Sequence, residues 1–138
     1  MENKTLLLFT DGACRGNPGF GGAGAVLLSV DGREIARAKK FLGHCTNNIA
    51  EYRALILGLK GAMAGGFTNL EVYLDSELLA NQINGLYKVK NENLKVLMKE
   101  IHDLIASFES VHVRHVRRCH NELADRLANR AIDEHEEG

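Results

Sequence analysis

Two acidic residues stand directly after apolar runs that have the length of buried strands. Asp11 follows the run over residues 5–10, and Asp75 follows a second run over residues 70–74. Acids at strand ends commonly cap helices or form turns, so either residue alone is weak evidence for a site. If the two strands are neighbours in one sheet, however, the two carboxylates lie side by side.

Glu51 is a third acid, and its position on a predicted helix over residues 48–64 is unusual. At 100° per residue it falls on the same side as Ala54 and Leu55, opposite the polar stripe that carries Arg53. A carboxylate on the packing face of a helix is costly unless it is paired or binds a cation. The alternative is an ion pair with a buried arginine, for which the sequence offers no obvious candidate.

Asp125 is the fourth acid, and it lies at the edge of the apolar arc of the last predicted helix. An acid at such an edge is ordinary helix design, so Asp125 gains meaning only together with the other three. Four convergent carboxylates repel one another strongly without a cation, and oxygen-only ligand sets suit Mg²⁺ or Mn²⁺. Two such ions can clamp the attacking and leaving oxygens of a phosphodiester displacement. The favoured chemistry is therefore metal-assisted phosphoryl hydrolysis.

The elements that must position these acids follow from the hydrophobic periodicity. Three strands joined by short turns predict an antiparallel meander, with a turn-rich loop between the first two: strands 5–10, 23–30 and 33–42, loop 16–22. Helices and strands alternate after it: helix 48–64, strand 70–74, helices 77–86 and 92–108, strand 111–116, and a helix from Asn121 to about residue 134. The predicted fold class is α/β in the mixed α+β sense, a five-stranded mixed sheet flanked by about four helices.

Length and composition predict a single domain over residues 1–138, with an acidic, frayed tail at 133–138. The net charge of −1 does not indicate a strongly basic nucleic-acid binder, although a total does not say where the charges lie. Three widely spaced cysteines without a CxxC pair argue against a disulfide framework or a zinc site and favour the cytoplasm. No stretch is long and apolar enough for a membrane span, and the start of the chain lacks the pattern of a signal peptide.

A glycine-rich segment over residues 19–24 formally matches GxGxxG, the pattern of dinucleotide-binding loops. It leads into a predicted strand and not into a helix, so no nucleotide cofactor is expected. The glycines are expected to serve the turn and the close approach of a nucleic-acid backbone.

Four strings of the sequence, taken in order, resemble the motifs of ribonuclease HI. They are Thr10–Gly19 (TDGACRGNPG), Thr46–Leu55 (TNNIAEYRAL), Asp75-Ser76 and Asn121–Asp125 (NELAD). The match extends over about residues 4–133, and an ordered set of this kind is highly specific.

The resemblance implies the ribonuclease H-like fold and an endonuclease that cuts the RNA strand of an RNA–DNA hybrid, leaving 5′-phosphate and 3′-hydroxyl ends. It also implies that Asp11, Glu51, Asp75 and Asp125 hold two Mg²⁺ ions, for which Mn²⁺ is a plausible substitute. His115 matches a loop histidine that assists proton movement or the departure of product and metal. The implied enzyme is a monomer whose substrate contacts are Gly12, Cys14, Gly16, Asn17, Thr46, Asn47, Asn48 and Ser76.

Two features depart from many bacterial members of that family. The segment Tyr87–Asn93 leads directly into the next helix, without the extra helix and basic protrusion that grip substrate, as in a compact branch of the family. Glu77 stands where relatives often carry an uncharged residue. Weak, salt-sensitive hybrid binding is therefore expected. Two alternatives stay open: a hybrid-binding module with little catalysis, and a nuclease that also cuts RNA–RNA duplexes.

Overall fold

The structure, a computed structural model, describes residues 4–137. A meander of three strands comes first: β1 (Thr5–Gly16), β2 (Gly19–Leu28) and β3 (Glu34–Cys45). Helices and strands then alternate: α1 (Asn47–Ala64), β4 (Asn69–Leu74), α2 (Glu77–Ile83), α3 (Glu92–Ala106), β5 (Ser110–His115) and α4 (Glu122–Glu137). A single 3₁₀ turn over Arg118–His120 precedes α4.

The five strands form one mixed sheet in the order β3-β2-β1-β4-β5. The meander strands pair antiparallel, whereas β1 with β4 and β4 with β5 pair parallel. The predicted fold class, a five-stranded mixed sheet with an antiparallel meander and about four helices, is confirmed. In the parallel register Thr10 pairs with Leu74, and Leu74 pairs with His115. The residues that follow Thr10 and Leu74 therefore emerge together at one edge of the sheet.

Helix α1 packs on one face of the sheet, against β1 and β2. Alternate strand residues point to it because side chains in a strand alternate between the two faces. Leu6 and Leu8 of β1 and Leu55 and Leu59 of α1 are fully buried in the resulting core. The helix is held in place along its length, so the side chains at its first turn have a defined position over the sheet.

Helix α4 packs on the opposite face, and glycines of β2 make that contact possible. A Cβ added at Gly22 would overlap the backbone of Ala128, and one at Gly24 would overlap the backbone of Ala124. These glycines belong to the GxGxxG match. The prediction that the segment serves close approach of a nucleic-acid backbone is therefore wrong at these two positions, where the approaching backbone is that of α4.

The loop predicted over residues 16–22 is much shorter in the structure. Strand β1 continues to Gly16 and β2 begins at Gly19, so only Asn17 and Pro18 lie in the turn. Ladder pairing runs without interruption from Asp11↔Gly24 to Gly16↔Gly19. Judged from the segment alone, these small residues predict a loop. They form strands in the structure because the neighbouring strand supplies their backbone hydrogen bonds.

The acidic C-terminal segment also differs from the prediction. Helix α4 extends to Glu137, so fraying from residue 133 is not observed, and Gly138 lies outside the described residues. Ion pairs with the sheet hold this end: Arg15 contacts Asp133 at 2.6 Å and Glu136 at 3.1 Å, and Lys39 contacts Glu134 at 3.0 Å. Periodicity alone could not show that basic residues of β1 and β3 lie under these acids.

Helix α2 ends at Ile83, three residues before the end predicted for it. Residues 84–91, which join α2 to α3, contain no helix. Among residues 4–137, no helix combines the length and the apolar character that a membrane crossing requires.

Candidate metal centre

Three carboxylates meet at the end of the sheet where the parallel pairing of β1 with β4 stops, at Thr10 and Leu74. Each of Asp11, Glu51 and Asp75 offers an oxygen, and these oxygens lie within 4.8 Å of one another. Asp11 belongs to β1, Glu51 to the first turn and a half of α1, and Asp75 follows β4 directly. The structure therefore brings together the three acids that the sequence singles out first, and it does so through the parallel register of β1 and β4.

The start of α1 lies so close to β1 that only glycine fits at position 12. A Cβ at Gly12 would overlap backbone atoms of Ala50 and Glu51. The Gly12 N–H donates a hydrogen bond to the Glu51 carboxylate. This contact sets the height of Glu51 over the sheet. The alternative of a buried arginine partner is excluded, because no arginine within residues 4–137 forms an ion pair with Glu51.

Gly12→Ala is expected to lower the free energy of unfolding by about 1–3 kcal/mol, because the added methyl group must push α1 away from β1. Chemical denaturation measures this change. Gly61→Ala is the matched control: its Cβ would meet only Leu27 methyl groups at 3.7 and 3.9 Å, and alanine is the better helix former. Equal effects of the two substitutions would contradict the role assigned to Gly12.

Burial and mutual repulsion dominate the electrostatics of the cluster. Asp11 is only 3% exposed. Burial raises the pKa of Asp11 most, and the neighbouring charge of Glu51 raises it further. Burial likewise raises the pKa of Glu51, from 4.5 to about 7. Without a cation, the folded protein therefore holds at least one proton in this cluster near neutral pH.

Asp125 joins the cluster from the opposite side of the sheet, at the start of α4. It lines the same cavity as the other three acids, and after burial, Glu51 and Asp75 it also raises the pKa of Asp11. Asn129 Nδ2 donates to Asp125 Oδ1 at 3.3 Å, and buried Asn121 Nδ2 donates to the Thr10 carbonyl at 2.9 Å. The second of these bonds ties the start of α4 to the strand that carries Asp11.

The donor set fits a hard divalent cation. The cluster supplies only carboxylate oxygens, and two of them, Glu51 Oε2 and Asp75 Oδ2, are buried without a hydrogen-bond partner. A buried carboxylate oxygen without a partner is costly, and a cation that binds the cluster removes that cost for both. The arrangement can therefore hold a metal ion and present it to a cavity of about 400 Å³.

Most of the expected substrate-contact residues line this cavity or the next one. The carboxylate cavity is lined by Gly12, Cys14, Asn47, Asn48 and Ser76. An adjoining cavity over the start of α1 is lined by Asn17 and Thr46, together with Asn47 and Asn48. Gly16 lines neither and instead ends β1 at the turn, with φ of 88°.

Several of these side chains already have structural partners. Thr46 caps α1 by accepting a hydrogen bond from the Ile49 N–H, and Ser76 caps α2 by accepting from the Leu79 N–H. Asn17 Oδ1 accepts from the Asn47 N–H at 3.1 Å, which joins the β1–β2 turn to the start of α1. The motif residues therefore build the cavity walls as well as lining them.

His115 and Arg118 lie at the rim. His115 ends β5, paired with Leu74, and is exposed next to the edge where Asp75 emerges, although it does not line the carboxylate cavity. Arg118 does line it, with Nε 4.0 Å from Asp75 Oδ2. Arg118 belongs to a group of basic residues with Arg114 and Arg117, and its place at the cavity depends on the 3₁₀ turn before α4.

Known proteins resemble this chain in sequence. A bifunctional protein of Mycobacterium tuberculosis is 41% identical over 129 residues, which are 93% of this chain and 35% of that protein. Ribonuclease HI of Halobacterium salinarum is 40% identical over 91% of this chain and 63% of its own length. The chain thus spans about a third of the mycobacterial relative and less than two thirds of the halobacterial one.

Solved structures show the same likeness. RNase H1 of Halobacterium salinarum superposes with a TM-score of 0.92 at 38% identity, covering 94% of this chain and 98% of that chain. LC11-RNase H1, solved in complex with an RNA/DNA hybrid, superposes with a TM-score of 0.90 at 36% identity, covering 94% and 97%.

The mixed sheet and its carboxylate cluster define a reverse transcriptase-like domain, and the model of that family matches residues 9–131. Within this class, the chain belongs to the type 1 ribonuclease H family.

Proposed function

We propose that this chain is an endoribonuclease that hydrolyses the RNA strand of RNA–DNA hybrids and leaves 5′-phosphate and 3′-hydroxyl ends. The observation that carries the proposal is the buried cluster of Asp11, Glu51 and Asp75, with Asp125 beside it. The hybrid complex of LC11-RNase H1, at 36% identity, supports the substrate class. The walls of the two cavities carry all the residues expected to contact that substrate except Gly16.

Two Mg²⁺ ions are the proposed cofactors, with Mn²⁺ as a substitute, because both prefer hard oxygen ligands. Asp11, Glu51, Asp75 and Asp125 would hold them. When bound, the ions neutralise the carboxylates, lower the pKa of the attacking water and stabilise the leaving 3′ oxygen.

The chain's own residues bind and orient the substrate. Asn47 and Asn48 stand at the start of α1, where backbone N–H groups attract phosphate. Arg118 adds a positive charge at the rim beside Asp75, where a phosphodiester approaches the carboxylates. Recognition of RNA 2′-hydroxyls beside these groups would distinguish the strand to be cut.

A panel of three substrates tests the proposal. One labelled RNA strand is annealed to DNA, annealed to RNA or left single, and is incubated with the protein in Mg²⁺. Cleavage of the hybrid alone is the expected result, with 5′-phosphate product ends identified by mass spectrometry. Equal cleavage of the RNA duplex would support the broader nuclease, and binding without cleavage would support a hybrid-binding module; either outcome contradicts the proposal as stated.

His115→Ala is expected to lower kcat about ten- to a hundredfold while leaving KM for the hybrid nearly unchanged. The reason is that an imidazole at this rim can transfer a proton during the reaction. Steady-state kinetics over a series of pH values measure the effect. His112→Ala is the matched control, since His112 lies on the same strand and its Nδ1 contacts Glu71 at 3.1 Å, away from the cluster. Equal losses in both variants would contradict a specific role for His115.

We further infer that the protein acts as a monomer in the cytoplasm. All four carboxylates come from one chain, so the site needs no second subunit. Its three cysteines are free thiols, and one of them, Cys14, lines the carboxylate cavity, where a reducing compartment preserves it.

A further inference from the structure

Two of the three cysteines lie together beside the carboxylate cavity. Cys14 belongs to β1 and lines that cavity, and Cys45 is the last residue of β3. The Cys14 Sγ lies 3.0 Å from the Cys45 carbonyl oxygen. The third cysteine, Cys119, is exposed in the 3₁₀ turn before α4. Cys14 and Cys45 therefore form a pair that joins two separate strands, and they are called the thiol pair here.

A glycine of the intervening strand lets the two side chains approach each other. Gly21 of β2 pairs with Cys14 of β1, and on its other side it pairs with Gly43. Directly opposite residues, and residues two apart in a strand, point to the same face, so Cys14 and Cys45 share one face of the sheet. A Cβ at Gly21 would overlap the Cys45 Sγ. The Cys45 thiol thus lies over β2, on the way to Cys14.

The two thiols differ in their access to solvent. Cys14 is half-buried and faces the cavity, through which a molecule as small as hydrogen peroxide can reach it. Cys45 is only 7% exposed. Burial raises the pKa of the Cys45 thiol most, and the neighbouring Cys14 raises it further. Cys14 is therefore the thiol that an oxidant meets first, and Cys45 is the second thiol of a reaction between them.

We propose that the thiol pair is an oxidation site that takes hydrogen peroxide and closes to a disulfide that lowers hybrid cleavage. In the first step, the Cys14 sulfur attacks one peroxide oxygen, the O–O bond breaks, and Cys14 becomes a sulfenic acid as water leaves. In the second step, the Cys45 sulfur attacks the Cys14 sulfur, the S–O bond breaks, and the hydroxide leaves as water with the Cys45 thiol proton. Two thiols and one peroxide thus give one disulfide and two waters.

A bond between these sulfurs would change the wall of the carboxylate cavity. Neighbouring strands lie about 4.8 Å apart, so β1 and β3, on either side of β2, are on average farther apart than the Cα atoms of a disulfide, at about 4.4–6.8 Å. Closure therefore draws the end of β3 toward β1. Thr46, which caps α1, follows Cys45 directly, and the cavity residues Asn47 and Asn48 come next. The bond would thus shift the start of α1 and take the Cys14 thiol out of the cavity wall.

The first experiment detects the bond itself and does not depend on activity. C119S removes the exposed thiol, so Cys14 and Cys45 are its only cysteines. The protein is treated with millimolar hydrogen peroxide in excess chelator, blocked with N-ethylmaleimide, digested and analysed by mass spectrometry. A peptide containing Cys14 joined to one containing Cys45, with two hydrogen atoms fewer, is the expected product. Two separately blocked or separately oxidised cysteines would overturn the proposal.

Steady-state cleavage of the hybrid measures the consequence of the bond. In C119S, peroxide is expected to lower kcat/KM about tenfold, because a small shift of the cavity wall misplaces the substrate. Dithiothreitol, which reduces the disulfide, should restore the original value. A complete disulfide that leaves kcat/KM within about twofold of the reduced protein would overturn the proposed effect on cleavage.

The matched control is C45A/C119S, which keeps Cys14 but cannot close the bond. Each protein is compared with its own reduced form, and thermal unfolding checks that the fold is intact; C45S/C119S, closer in size, replaces the control if the alanine variant is unstable. After prolonged exposure to peroxide, dithiothreitol should not recover any activity that this variant loses, since a sulfenic acid without a second thiol is oxidised further. A reversible loss equal to that of C119S would overturn the role of Cys45.

The effect on cleavage rests on the proposed function, and failure of that function has a separate signature. In that case the fully reduced protein cleaves no hybrid, although the joined peptides still form in peroxide. Equilibrium binding of a fluorescent hybrid then replaces the kinetics: weaker binding after oxidation would support the proposal, and identical binding would overturn it. A reduced protein that cleaves hybrid but forms no joined peptides overturns the thiol pair alone.

Discussion

Asp75→Asn is expected to lower kcat for hybrid cleavage in Mg²⁺ by at least about a thousandfold. Asp75 has an oxygen within 4.8 Å of oxygens of Asp11 and Glu51, and its Oδ2 is buried without a hydrogen-bond partner. An amide nitrogen or a neutral amide oxygen in its place weakens the binding of a hard cation and misplaces the reacting groups. Single-turnover cleavage of a labelled hybrid measures the loss.

The same substitution is expected to raise the melting temperature of the protein in excess chelator, because it removes a carboxylate whose charge repels those of its buried neighbours. Lower activity with higher metal-free stability distinguishes a lost ligand from a damaged fold. Asp103→Asn is the matched control: Asp103 is exposed on α3 and pairs with Lys99 at 3.1 Å, far from the cluster. Activity of Asp75→Asn within about tenfold of wild type would contradict the assignment of this ligand.

The second large effect is an unusual pH dependence of stability in the absence of metal. The pKa of Glu51 is raised in the folded protein from 4.5 to about 7, and that of Asp11 is also raised, in both cases first by burial. The folded state then binds more protons than the unfolded state. The contribution of these groups to stability is fully present below about pH 4 and is lost as the pH rises toward 7 and beyond.

Chemical denaturation in chelator between pH 5 and pH 8 measures this contribution. Other carboxylates, such as Glu34 beside Arg37, have a lowered pKa and contribute in the opposite direction, so the comparison is made with Glu51→Gln. The wild type should lose more stability than Glu51→Gln over this interval. Saturating Mg²⁺ should remove the difference, since bound cations favour the ionised carboxylates. If the stability of the two proteins in chelator changed equally with pH, the role assigned to Glu51 would be contradicted.

Much of the fold and of the site could be predicted because the signals are local. The apolar runs before Asp11 and Asp75 and the helical period around Glu51 lie within short segments of the chain. All three acids lie in the cluster. Asp125, whose position on its helix was ambiguous, lines the same cavity.

The features that were mispredicted depend on distant partners. The small residues around Gly22 predicted a loop and a contact with nucleic acid. In the structure they belong to a strand that packs against α4. The acids after Ile132 suggest fraying, yet they continue the helix because Arg15 and Lys39 lie beneath them. In both cases, the residues that decide the local structure come from elements dozens of positions away.

The sequence by itself determined the fold class, the family resemblance and the identity of the four acids. Periodicity and motif order depend only on the order of residues along the chain, so no tertiary contact is needed to detect them. The tertiary structure alone decided how the acids meet. That outcome requires the parallel pairing of Thr10 with Leu74 and the close contact of Gly12 with the start of α1. It also decided that Cys14 of β1 and Cys45 of β3 lie together. Distances between atoms far apart in the chain arise from packing, which no single segment encodes.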